Sequence, residues 1–140
     1  MHTTDIRKLL KDPSLFKEEA FINGQWVKAS HNDHFPVNNP ATHETIAQVA
    51  NLASSDAEKA IAAANTAFPK WRDKTGKERA ILMRKWFDLI LQNKEDLAAL
   101  MTLEQGKPLA ESTGEVVYGA SFIEWFAEEA KRVSGTIPST

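Results

Sequence analysis

The side chains that catalysts use most directly are absent or scattered in this sequence. No cysteine occurs among the 140 residues, which removes thiolate nucleophiles, disulfides, iron–sulfur ligation and cysteine-rich zinc sites together. His31 and His34 flank Asp33, three groups that can ligate zinc. Their close spacing in a turn-rich stretch preorganises no tetrahedral site and indicates no fourth ligand, so no metal is expected there. Carboxylates lie four apart at Glu111 and Glu115, and again at Glu124 and Glu128. On a helix that spacing brings them to one face, as an acid–base pair requires. An exposed surface laced by pairs such as Glu128 with Arg132 explains them better. The run KWRDKTGKER, residues 70–79, holds five cations, two anions and one Trp, and reads as a solvated connector between helices rather than a single-strand-binding patch. Neither GxGxxG nor GxxxxGK[ST] is present, so no glycine loop cradles a phosphate. Read from the residues alone, no nucleophile, base and oxyanion donor come together.

Composition bounds what these side chains can belong to. With 42% hydrophobic and 26% charged residues, the chain has the balance of one soluble globular domain with a small core. Its formal charge of −2 produces no field that favours phosphate backbones or anionic lipid, so neither nucleic acid nor membrane is an expected partner. No apolar run approaches the ~20 residues needed to span a bilayer, and MHTTDIRKLL has no signal-peptide core, so a cytoplasmic protein is expected.

The elements follow from periodicity. Residues 1–14 are expected to be a mobile arm with one helical turn through Ile6, Leu9 and Leu10, stopped by Asp12-Pro13; residues 15–140 form the domain. Asn23-Gly24 supplies the positive φ angles of a two-residue turn and predicts a hairpin from Ala20 to Lys28. HNDHFPVNNPATHE is expected as an extended connector with little pairing, because Pro36 and Pro40 lack backbone donors. TIAQVANLA alternates as a strand, which completes a β region over 20–53. The period then changes to about 3.6, predicting four helices over 55–134. The first opens on the box Ser55-x-x-Glu58, buries Ala57, Ile61, Ala64 and Phe68, and ends or kinks at Pro69. The second opens on Thr75-x-x-Glu78 with a stripe through Ala80, Met83, Trp86, Phe87, Ile90 and Leu91. Asn93 caps the third, which buries Leu97, Leu100, Met101 and Leu103 and stops at Gly106 and Pro108. The fourth carries Val116, Ala120, Ile123, Phe126, Ala127 and Ala130 inside and ends at Gly135. Gly114 and Gly119 each cost about 1 kcal/mol relative to Ala inside a helix, which points to a closely packed neighbour, most simply another helix. The fold class is α+β, mainly helical with an N-terminal β-hairpin.

The ordered series INGQWV, VNNPAT, AFPKWR, ERAILMRKW, LAALMTLEQGKPLAES and FIEWFAEEAKR resembles the beginning of an aldehyde dehydrogenase. LEQGKP is the most specific mark of the superfamily, and FIEWFAEEAKR is similar to the succinate-semialdehyde dehydrogenase branch. The resemblance implies that this segment is the helical flank of an α/β, Rossmann-like NAD(P)-binding domain. It implies that NAD or NADP accepts hydride after a cysteine thiolate attacks the aldehyde. The family's cysteine, active-site asparagine and general-base glutamate all lie beyond the part that this chain matches. Aligned on the two marked blocks, Tyr118, Phe122 and Trp125 fall on the helix that faces the substrate tunnel. Tyr118 then either shapes aldehyde access or sits as an amphipathic residue at a helix seam. The family's structural monovalent cation maps to Val37, Asn38 and Glu104, hard oxygen donors that suit such an ion.

Two rival readings stand beside this one. One is another ω-semialdehyde dehydrogenase, such as the glutarate-semialdehyde type. The other is a stand-alone helical interaction module, separated from the enzyme reading by whether the reading frame continues past Thr140 into a cysteine-containing region. Helical faces meant for a missing sheet should drive self-association. The purified 140-residue chain is therefore expected to sediment as an oligomer and to reduce no NAD(P) with succinic semialdehyde. A clean monomer with a cooperative melt, or measurable turnover, refutes the corresponding half of this expectation.

Overall fold

The computed structural model describes residues 5–132. Two small antiparallel strand pairs precede four helices. In the first pair, β1 (Ala20–Ile22) and β2 (Gln25–Val27) place Phe21 opposite Trp26, their rings 5.2 Å apart. Asn23 and Gly24 have φ of 51° and 77°, as the expected turn requires. The second pair corrects the connector expected around Pro36. β3 (His34–Asn38) pairs with β4 (Thr45–Ala50), Pro36 standing opposite Gln48. Proline is tolerated because β3 has a neighbour on one side only.

The N-terminal arm, expected to be mobile, instead supplies much of the core. Its Ile6 and Leu10 are buried with Phe16, Ile46 and Ala47, while Val37, Val49, Ala99, Leu100 and Leu103 pack against them. What the arm's sequence did not reveal is its anchor. The buried carboxylate of Asp96 accepts backbone N–H bonds from Lys11 at 2.9 Å and Asp12 at 2.8 Å. A charged acceptor satisfies two donors that would otherwise lie partly buried without partners.

Helix α1 (Ser54–Arg72) starts one residue earlier than expected, and Asp56 takes the role assigned to Glu58. Its carboxylate accepts from the Ala53 N–H at 3.3 Å and the Ser30 N–H at 3.2 Å, from the Ser30 hydroxyl, and from Lys59 Nζ at 3.1 Å. The predicted stripe is not buried: Ala57 and Ala64 are exposed, and Ile61 and Phe68 are 69% and 54% exposed. Its half-buried positions are Ala60 and Ala63, which approach the first hairpin. The helix also continues through Pro69 for almost another turn. The connector is then only Asp73–Thr75, and Arg79 donates to the carbonyls of Arg72 (3.2 Å) and Lys74 (2.5 Å).

Helix α2 (Gly76–Gln92) opens on the expected box: Thr75 Oγ1 accepts from the Glu78 N–H, and Glu78 Oε2 accepts from the Thr75 N–H at 2.8 Å. Of its stripe, Ala80 is buried and Met83, Phe87, Ile90 and Leu91 are half-buried, but Trp86 is exposed. Asn93 precedes α3 (Lys94–Gln105), yet its amide donates back to the Leu89 carbonyl at 2.8 Å, closing α2 rather than capping α3. Gly106, at φ 75°, ends α3 as expected. Helix α4 (Leu109–Glu129) packs on α2 and α3 through small residues, with Ser112, Ala120, Ala127 and Ala98 all at most 1% exposed. Thr102 and Ser112 share a 2.9 Å hydroxyl bond in this seam. A Cβ at Gly76 would sit 2.2 Å from the Ala130 carbonyl oxygen, so the start of α2 meets the end of α4 only because that residue is glycine. At Gly114 and Gly119, expected at close contacts, an added Cβ would meet nothing within 4 Å; both residues are exposed. Gly135, the expected end of the helix, lies outside the described residues, and α4 stops at Glu129.

The Asp56 site makes stability depend on acid. Hydrogen bonds from the Ser30 hydroxyl and N–H outweigh the effect of burial and hold its carboxyl far below the ordinary carboxylate range. A depressed folded-state pKa gives stability that is complete above the unfolded value, about 3.9, and is lost as pH falls towards the folded one. The difference in Tm between wild type and Asp56→Asn is expected to be largest above about pH 5 and to shrink below about pH 4. A difference that stays constant between pH 6 and pH 2.5 contradicts this account.

Candidate functional site

Because α4 spends its small residues on the seam, its large ones face outward. Tyr118, Phe122 and Trp125 stand at i, i+4 and i+7, one face of a helix, and are 66%, 47% and 63% exposed. The Tyr118 and Phe122 rings meet edge to face with centroids 4.9 Å apart. With Ser121 and Phe126 they line an open hollow of about 760 Å³. Phe126, expected inside, is 56% exposed and belongs to this rim. The structure thus brings together the three residues that the family alignment grouped. Tyr118 touches no second helix seam among the described residues.

The carboxylates around this hollow are neutralised rather than poised for proton transfer. Glu124 is held by Arg84 of α2 at 2.5 Å, and that guanidinium also lies 4.8 Å from the centre of the Phe87 ring. Glu128 pairs with Lys131 at 2.6 Å, and Arg132 pairs with Glu129 at 3.1 Å, each one residue displaced from the expected Glu128–Arg132 pair. The Lys131 ammonium keeps the Glu128 carboxyl below its usual range. Glu115 is taken by Lys107. What remains is an apolar aromatic wall with two hydroxyls, Tyr118 and Ser121, the latter donating to the Tyr118 carbonyl at 2.7 Å. It can hold and orient the carbon skeleton of a small molecule and exclude water from it, and it contains no nucleophile.

The second group of sequence-derived positions lies on the other side of α3. Val37 and Asn38 end β3, where Asn38 Oδ1 accepts from the Thr45 hydroxyl at 2.9 Å. Glu104 is exposed in the last turn of α3. The two places are neighbours: Val37 and Leu103 pack on one core, and a Cβ at Gly106 would meet Pro40 Cγ at 2.7 Å. Asp33, between the two histidines, is bonded instead to the Asn51 amide at 2.8 Å and the His34 N–H at 3.0 Å. Among the described residues no three His, Asp or Glu side chains gather as a metal-ligand set. The anchoring carboxylates Asp56 and Asp96 were not singled out from sequence. Only their position near helix starts signalled them.

The described residues thus form two small strand pairs and four helices with an outward aromatic wall. The model of the aldehyde dehydrogenase family matches residues 26–140, and the chain belongs to that family. It is 55% identical over 130 residues to a 3-sulfolactaldehyde dehydrogenase of Pseudomonas putida, covering 92% of this chain and 27% of the relative. It is 52% identical over 130 residues, with the same coverage, to a succinate-semialdehyde dehydrogenase of Escherichia coli whose name specifies NADP(+). The crystal structure of a succinate-semialdehyde dehydrogenase from Burkholderia pseudomallei superposes with a TM-score of 0.90 at 50% identity, over 93% of this chain and 27% of that one. The chain spans about a quarter of the length of the relatives it matches.

Proposed function

We propose that this chain serves an NAD(P)-dependent aldehyde dehydrogenase that oxidises succinic semialdehyde to succinate in the cytoplasm. Its own contribution is scaffold and substrate wall. The observation that carries the reading is the single face of α4 on which Tyr118, Phe122 and Trp125 are presented around one hollow. Such a face suits the short methylene chain of a semialdehyde. Bound NAD or NADP would supply the hydride acceptor; residues 5–132 form no glycine loop for its phosphates, so no group of this chain is assigned to hold it. The thiolate and the general base belong to sequence outside these residues. The relatives' names span sulfonated and carboxylated aldehydes at similar identity, so a longer ω-semialdehyde such as glutarate semialdehyde is the alternative substrate. No helix among the described residues is long and apolar enough to cross a membrane. The apolar residues exposed on α2, Ile81, Leu82, Trp86 and Leu89, support the self-association expected of the isolated chain, which sedimentation tests.

In the intact enzyme, Phe122→Ala is expected to raise KM for succinic semialdehyde roughly tenfold with a smaller change in kcat, since truncation removes uniform apolar binding. An unchanged KM for both succinic and glutaric semialdehyde removes α4 from the substrate path. The same reading assigns a monovalent cation to the carbonyls of Val37 and Asn38 and the carboxylate of Glu104, hard oxygen donors on adjoining elements. Potassium or sodium should then raise Tm above that in tetramethylammonium chloride at equal ionic strength. Glu104→Gln should abolish the difference, and a difference of the same size in the variant refutes the site.

A further inference from the structure

β4 carries the sequence TIAQVA, six uncharged residues, and β3 covers only one of its edges. A flat, uncharged edge of that kind is a template for pairing with another strand. Here the other edge is occupied, but not by a strand. The Glu18 carbonyl accepts from the Ala50 N–H at 2.8 Å, and the Glu18 carboxylate accepts from the Gln48 N–H at 2.9 Å. One residue therefore covers two donors of the edge, one with its backbone and one with its side chain. Arg7 fastens it, donating to Glu18 at 2.9 Å while lying 4.6 Å from the centre of the Phe16 ring. The Gln48 N–H, more than Arg7, keeps the Glu18 carboxyl below its ordinary range.

We infer that Glu18, held by Arg7, is a strand-edge guard that keeps β4 from pairing with β4 of a second copy of this chain. The occupant follows from the strand itself, because an uncharged strand of one copy meets an identical edge in the other and can pair antiparallel without any charge being buried. Gln48 is exposed, so its side chain can be replaced by a charged one without entering the core. That makes the edge separable from the stability of the fold.

The test uses the whole protein, with hydrogen exchange read by mass spectrometry on peptides spanning residues 45–50 and assembly read by sedimentation. Glu18→Ala is expected to speed exchange in that segment about tenfold, the loss expected for a charge-assisted bond, while peptides from the α2–α4 seam stay unchanged. It should also add a concentration-dependent larger species. The double variant Glu18→Ala, Gln48→Lys should exchange as fast but sediment as wild type, since a lysine on the edge blocks strand addition. Persistence of the larger species in the double variant overturns the inference, as does unchanged exchange at 45–50 in Glu18→Ala. If Glu18→Ala does not accumulate folded, Arg7→Gln must show the same localised increase in exchange; its absence overturns the inference equally.

Discussion

The fold turns on how closely α4 can approach its neighbours. Ala98, Ser112, Ala120 and Ala127 are essentially without exposure, and at Gly76 the α4 terminus comes so near that no side chain fits. A seam of small residues buries little area per residue, so its strength comes from backbone proximity and from polar satisfaction such as the Thr102–Ser112 bond. The cost is that α4 turns little more than small and β-branched side chains inward, Val116 being the largest it buries. Its aromatic residues are forced outward, and that is what creates the wall that Tyr118, Phe122 and Trp125 present. The site and the core are therefore two consequences of one packing constraint.

Charged groups do structural work at the places where chain segments far apart in sequence meet. Asp96 fastens the arm to α3, Asp56 fastens the loop after β2 to α1, and Arg84 ties α2 to α4. Asp96 takes two donors and Asp56 four, which is how a buried charge is kept favourable. The same economy leaves no unpaired acid beside the hollow. The carboxylates there, Glu124, Glu128 and Glu129, are consumed by Arg84, Lys131 and Arg132.

Local signals were legible and remote ones were not. Asn23-Gly24 specified its turn and Thr75 with Glu78 specified a helix start, because each involves residues within a few positions of one another. The stripes of α2 and α4 were legible through Ala80, Val116, Ala120 and Ala127. By contrast, Ile61 and Phe68 repeat at helical spacing as a buried face would, and periodicity alone does not say what lies opposite them. Pro36 argued against pairing by a rule that holds for central strands, whereas β3 has a neighbour on one side only. The arm looked free because its partner, Asp96, is distant in sequence. The face of α4 was grouped by family resemblance, while its outward orientation came only from the seam behind it.

That distance has a consequence for synthesis. The bond from the Lys11 N–H to Asp96 spans 85 positions, so during synthesis the arm cannot find its anchor until α3 has emerged. At ~5–20 residues per second, the nascent arm waits on the order of 4–17 s with Ile6 and Leu10 uncovered. The interval is long enough for a chaperone to bind there.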